Sequence, residues 1–145
     1  MKFTITIDIK KSAPAVFRYI ASPLKLAEWT KDCQSVKTIK GRRNDAGHTS
    51  KIIMKDAKST YSIEEEVLMY QRNQRFKIIL THKELTSEVD YLLEKVSDEH
   101  TKLHARYNIR FTNFLNRIFS SFFKIPIRNQ QTEDLRKLKR ILENH

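Results

Sequence analysis

Glu65 is the residue of this chain whose type and position best suit proton transfer. In the run Tyr61, Ile63, Glu65, Val67, Met69, strict alternation puts its carboxyl on the same face as Ile63 and Val67. A carboxyl taken out of water there is pushed up in pKa, toward the range useful for acid or base work. The same residues carry a plainer reading. A bulge or a one-residue slip sends Glu65 outward, and its neighbours Glu64 and Glu66 are placed to pair with lysines across a sheet. Tyr61, Tyr91 and Tyr107 fall on inward rows of their own strands, where a hydroxyl bonds either a ligand or the protein itself.

Other reactive types lack a pattern. His100 and His104 are four apart, a metal spacing on a helix, but they flank or enter a strand, and His104 falls on its polar face. His48 and His82 sit near strand ends, and no cysteine or acid completes a ligand set with them. Cys33 follows Asp32 with no motif that would make it a nucleophile, and a lone cysteine forms no internal disulfide, as suits a reducing compartment. Two glycines, Gly41 and Gly47, are too few for a phosphate loop. The expectation is no metal, no cofactor and no catalytic residue set.

The elements that would position these groups are legible from periodicity. Phe3, Ile5, Ile7 and Ile9 alternate with Lys2, Thr4, Thr6 and Asp8, giving a strand with one buried face. Ser12 is a helix cap with Pro14 in the first turn, and Ser22-Pro23 restarts a second short helix ending near Trp29. Val36, Thr38 and Ile39 mark a strand, Asn44 to Gly47 a turn, and Thr49 to Lys55 the next strand. The row from Tyr61 to Met69 opposes Ser62, Glu64, Glu66, Leu68 and Tyr70, and Arg72-Asn73-Gln74 is a hairpin turn. Phe76, Ile78, Leu80, then Val89, Tyr91, Leu93, then Leu103, Ala105, Tyr107, Ile109, Phe111 form three more rows. None of these strands needs a long crossover, so the sheet is an antiparallel meander.

Near the carboxyl end the period changes from two to helical. Phe114, Leu115, Ile118, Phe119 and Phe122 recur at helical spacing, and Leu135, Leu138 and Leu142 continue the stripe. Pro126 lies inside it, which predicts a kink or break near Lys124 and Ile125.

Composition bounds the class. At 145 residues, 39% hydrophobic and 31% charged, the expectation is one domain over residues 1–145. No stretch approaches the roughly 20 apolar residues of a membrane span, and the alternating start lacks a secretion signal's apolar core, so a cytoplasmic location is expected. The net charge of +11 concentrates in Lys37, Lys40, Arg42, Arg43, Lys51, Lys55 and Lys58, and again in Arg136, Lys137, Lys139 and Arg140. Nucleic acid, an anionic membrane and an acidic ligand would each suit it, as would a solvated surface.

The segments Ile5-Thr6-Ile7-Asp8-Ile9 and Ala13-Pro14-Ala15-Val16-Phe17, with Tyr19-Ile20, Pro23 and Trp29, resemble the opening of the START-like superfamily, which includes Bet v 1-like and polyketide cyclase/dehydrase-like proteins. Gly47-His48-Thr49, Glu64-Glu65-Glu66-Val67, Phe76 and the closing Gln131 to Lys139 extend the likeness over nearly the whole length. The resemblance implies an α+β helix-grip fold: a seven-stranded curved antiparallel sheet, two short helices after strand 1, and a long carboxyl-terminal helix packed across it. It implies binding or transport of a small hydrophobic ligand, a lipid, polyketide or aromatic compound, and in some members catalysis. Fold alone does not decide the reaction.

The expected cavity residues are Trp29, Met54, Tyr61, Glu65, Phe76, Tyr91, Tyr107, Phe114, Ile118 and Phe122. The expected partner is a small hydrophobic or amphipathic ligand, with the basic charge allowing an anionic one. No specific nucleic acid is expected, since aromatic and basic residues do not interleave as on a nucleic-acid platform. Transient membrane contact through the aromatic stripe and Arg117, Lys124 and Arg128 stays open. The alternatives are a cyclase- or dehydrase-type enzyme using the same cavity, and an interaction module using the basic surface.

Overall fold

The computed structural model describes residues 1–112 and 120–144, with 120–125 as backbone alone. Its elements are β1 (Lys2–Ile9), α1 (Ala13–Ala21), α2 (Pro23–Trp29), β2 (Cys33–Lys40), β3 (Thr49–Lys55), β4 (Thr60–Gln71), β5 (Arg75–Thr81), β6 (Leu85–Ser97), β7 (His100–Phe111) and α3 (Ser120–Glu143). The strands form one antiparallel, curved sheet in the order β1-β7-β6-β5-β4-β3-β2. This is the expected helix-grip architecture. Phe114 and Ile118 lie outside the described residues, and Phe122 is described only as helix backbone.

The period-two rows decide which face is covered. On β7, Leu103, Ala105, Tyr107 and Ile109 are all at most 4% exposed, while the residues between them are more exposed. Ser12 caps α1 by accepting from the Ala15 N–H at 3.3 Å, with Pro14 in the first turn where its missing donor costs nothing. Val16, Phe17 and Ile20 then turn inward onto the sheet. From the other end of the chain, Leu135, Leu138 and Leu142 of α3 close the same core. The helix is tied down at its last turn: the Glu143 carboxylate accepts from the Lys10 N–H at 2.8 Å and from Lys139 Nζ at 3.0 Å.

Two local expectations are corrected. Of the kink or break expected near Lys124 and Ile125, the break does not occur: the helix runs from Ser120 through Glu143 with Pro126 inside it, the turns on either side continuing past the one missing donor. The alternation of β4 also fails beyond Val67. Val67 pairs with Ile78 but Met69 with Lys77, so a bulge at Leu68 inserts one residue. Leu68 is left 38% exposed, and Tyr70, expected outward, turns in to meet Phe17 and Phe76 edge-on at 5.2 and 5.9 Å between ring centres.

The edge strand β2 is exposed along most of its length and carries Lys37 and Lys40. Charged side chains on an edge discourage pairing with another chain. They do so here at a cost, since Lys37 stands directly opposite Lys51, both exposed. Lys37→Glu is expected to stabilise the fold by about 0.2–1 kcal/mol in urea unfolding at low salt, with the gain shrinking in molar salt. An unchanged midpoint would mean that the two ammonium groups already splay apart.

Candidate functional site

Between the concave face of the sheet and the middle of α3 lies a cavity of about 440 Å³. Ile52 and Met54 of β3, Ile63 of β4, Ile78 and Leu80 of β5, Val89 of β6 and Ile109 of β7 give it an apolar floor. Alternation supplies these side chains in register, one from every second residue of neighbouring strands. Ile127, Gln130, Gln131 and Asp134 form the helix wall, and Leu26 to Asp32, the end of α2 with the loop after it, form the rim.

Trp29, Met54, Tyr61, Glu65, Tyr91 and Tyr107 stand on this wall. Phe76 does not. It points inward, as its row requires, but at the end of the sheet that α1 covers, where it meets Phe17 edge-on at 6.3 Å and lies under the Arg43 guanidinium at 5.2 Å. It belongs to the packed core.

Glu65 is 1% exposed but has partners. Arg43, reaching in from the loop after β2, pairs with its Oε1, and Ser50 Oγ donates to the same oxygen at 3.0 Å. Arg43 Nε also donates to the Ala21 carbonyl at 2.8 Å, so one guanidinium joins the loop, the end of α1 and β4. The bare desolvated carboxyl that alternation suggested is thus a buried ion pair. Nearby His48 is 2% exposed, with Nε2 3.3 Å from Thr38 Oγ1 and Nδ1 unpartnered. Burial, reinforced by the Arg43 charge, holds its imidazole below the usual histidine pKa.

The tyrosines are held neutral by the same cause. Burial pushes the Tyr91 hydroxyl far above its ordinary range, helped by the Glu65 and Asp134 charges, and Tyr107 likewise, helped by Tyr91 and Asp134. Tyr61 at the rim is raised less, by burial and then by Asp56 and Asp32. Cys33, buried beside this site, is raised by burial and by Glu65, so its thiol is not activated. Every one of these shifts favours an uncharged group.

Asp134 is a cavity-wall residue outside the set expected from the sequence. It is 6% exposed on α3, and its Oδ1 accepts from the Lys31 N–H at 3.2 Å and from Gln130 Nε2 at 2.8 Å, pinning the rim loop to the helix. Burial raises its pKa against these two bonds and the Lys137 and Lys31 charges. Its helical period could have revealed it, because Asp134, Leu138 and Leu142 share one face. Arg43 had no such signal, being one cation among many in a loop.

Two further histidines lie elsewhere. His100 bonds Asp8 at 2.9 Å, and His104 lies between Glu94 and Thr6 at 2.9 and 3.0 Å, both outside the cavity. His82 lies on the rim, edge-on to Tyr61 at 5.5 Å. No metal-type cluster of His, Cys, Asp and Glu occurs among the described residues.

Arg43→Met leaves Glu65 buried without its counter-charge and is expected to cost about 3–5 kcal/mol in chemical denaturation. Adding Glu65→Leu to it should recover most of that loss, and no recovery would assign the cost to Arg43 packing instead. For Asp134 the sign is opposite to that of a stabilising carboxylate. With its folded pKa above the unfolded value, ionisation opposes folding, and its penalty is full above the folded pKa and fades as pH falls through it. Asp134→Asn should therefore raise the melting temperature at neutral pH, with the advantage shrinking on acidification.

The chain matches the family described as polyketide cyclase / dehydrase and lipid transport over residues 1–143. No curated protein matches it. Among solved structures it is similar to a conserved protein from Geobacillus kaustophilus, with 14% identity, TM-score 0.82, and coverage of 99% of this chain and 96% of that one. A START superfamily protein from Mycobacterium smegmatis gives 8% identity and TM-score 0.77 over 97% of this chain and 98% of that one. The di-domain ARO/CYC protein BexL, from the BE-7585A biosynthetic pathway, gives 11% identity and TM-score 0.79 over 97% of this chain and 45% of that one. With a family match over almost its entire length and the helix-grip fold those structures share, the chain belongs to the polyketide cyclase / dehydrase and lipid transport family.

Proposed function

We propose that this protein binds and carries a small, uncharged hydrophobic ligand in the cavity between sheet and α3. The observation that carries this reading is the cavity itself: about 440 Å³, floored by aliphatic side chains from five adjacent strands, within the range of roughly 300–1,000 Å³ usual for small-molecule sites. Affinity would come from apolar burial at about 25 cal/mol per Å². The polar residues of the wall would set orientation.

The lining favours a neutral ligand over the anionic one that the net charge suggested. Asp32, Glu65 and Asp134 are on the wall against one lysine, Lys31, and Arg43 is committed to Glu65. The basic excess is elsewhere: Lys37, Lys40, Arg42, Lys51, Lys55 and Lys58 are exposed, and none is within ion-pair distance of a carboxylate among the described residues. A carrier also fits better than a cyclase or dehydrase. The Glu65 carboxylate is engaged by Arg43 and Ser50, and the tyrosine hydroxyls are held protonated, so the groups that a cyclase or dehydrase reading would draw on are not poised to take up a proton.

Titration with the neutral fluorescent probe N-phenylnaphthylamine is expected to show saturable binding at one site per chain. Filling the cavity with Ile63→Phe and Leu80→Phe together should weaken it at least about ten-fold while cooperative unfolding is kept. Binding that does not saturate, or is indifferent to the filled cavity, would overturn the proposal.

A further inference from the structure

One stretch of the cavity wall holds hydrogen-bonding groups with nothing to bond. Trp29 is 3% exposed, and its indole Nε1 has no partner. The Oγ1 of the next residue, Thr30, is likewise buried and unpartnered. Both residues are on the wall, as is Asp134. Asp134 receives its bonds from Lys31 and Gln130 on Oδ1, and its Oδ2 takes none from a described residue. Asp134 Oδ1 bonds the backbone of Lys31, so the helix carboxyl is fastened to the residue that directly follows Trp29 and Thr30 in the chain. Tyr91, edge-on to Trp29 at 6.5 Å, backs the group.

An unmade hydrogen bond on a buried group is costly, and two neighbours with the same deficit are uncommon in a packed wall. The indole nitrogen only donates, the threonine hydroxyl donates and accepts, and the free carboxylate oxygen accepts. Their common complement is a hydroxyl group, whose oxygen takes the indole proton while its own proton goes to an acceptor. A carboxylate would satisfy the indole but meet Asp134 and Glu65 as like charges, and a hydrocarbon would satisfy none of the three. We propose that Trp29, Thr30 and Asp134 form a hydroxyl-recognition subsite, so that the carried ligand is an uncharged alcohol or phenol with an apolar body. This rests on the cavity being the binding site. Both atoms are shut off from the cavity in this conformation, so the proposed subsite requires the Trp29 and Thr30 side chains to turn at the wall when a ligand enters.

Three probes of nearly equal apolar body separate the possibilities: para-butylphenol, butylbenzene and para-butylbenzoate, each measured by displacement of N-phenylnaphthylamine, which does not depend on tryptophan emission. The expected order is butylphenol tightest, by about ten-fold over butylbenzene, with butylbenzoate weakest. Thr30→Val, close in shape and lacking the hydroxyl, should cut the phenol preference several-fold and leave butylbenzene unchanged. Trp29→Phe should cut it further. Equal binding of butylphenol and butylbenzene, or a phenol preference untouched by Thr30→Val and Trp29→Phe, would overturn the subsite while leaving the carrier reading standing. Failure of all three probes to displace bound N-phenylnaphthylamine would likewise overturn the subsite, whereas the carrier reading falls only if N-phenylnaphthylamine itself does not bind saturably.

Discussion

A carboxylate on the inward face of a sheet must be answered, and much of this molecule's arrangement follows from how Glu65 is answered. An isolated buried charge would cost several kcal/mol, more than most single contacts return. The reply comes from a loop rather than from a neighbouring strand. Arg43 enters over Phe76, bonds the last carbonyl of α1 and closes on Glu65, while Ser50 fills the remaining space from β3. The sheet, the first helix and the β2–β3 connection are thereby held in one relation. Gly41 makes room for this loop: at φ 83° it adopts a conformation open to glycine, and a Cβ there would come within 3.2 Å of the His48 backbone.

What alternation could reveal, it revealed. The seven strands, their inward rows and the placement of Glu65 on a buried face follow from period two, and the leucine stripe of α3 follows from period 3.6. The failures occur where a residue's surroundings come from outside its own element. Nothing in the row through Phe76 says which part of the sheet α1 covers, so a core phenylalanine and a cavity phenylalanine read alike. The bulge at Leu68 comes from pairing with β5 and has no local signature such as a glycine. Arg43 acts from a loop, where position carries no period. Asp134 was legible in principle, but an acid beside three leucines is easily read as solvent-facing.

The cavity and the charged surface follow opposite rules. On the outer face of the sheet, charges compensate diagonally between β5 and β6: Arg75 with Asp90 at 2.7 Å, Lys77 with Glu88 at 2.7 Å. The half-exposed Lys77–Glu88 pair contributes little by itself. Inside, desolvation raises the tyrosines, the cysteine and Asp134 and lowers His48, so the interior resists ionisation as a whole. Net charge measured over the chain therefore describes what the exterior meets and says little about what the interior accepts.

The pairing of β1 with β7 sets a temporal order on assembly. Phe3 lies against Tyr107 with their rings stacked at 4.7 Å, and the amino group of Met1 reaches the Ile109 carbonyl at 2.8 Å. Thus β1, the first strand in chain order, has its sheet neighbour among the described residues in β7, the last. Until β7 arrives, β1 offers the apolar row Phe3, Ile5, Ile7, Ile9 to whatever is nearby, and closing so long a loop slows the step. The meander from β2 through β6 can form by local hairpins, but the wrap around α3 is completed only when β1 meets β7. The chain is most exposed to misassembly at the strand whose partner lies farthest along it.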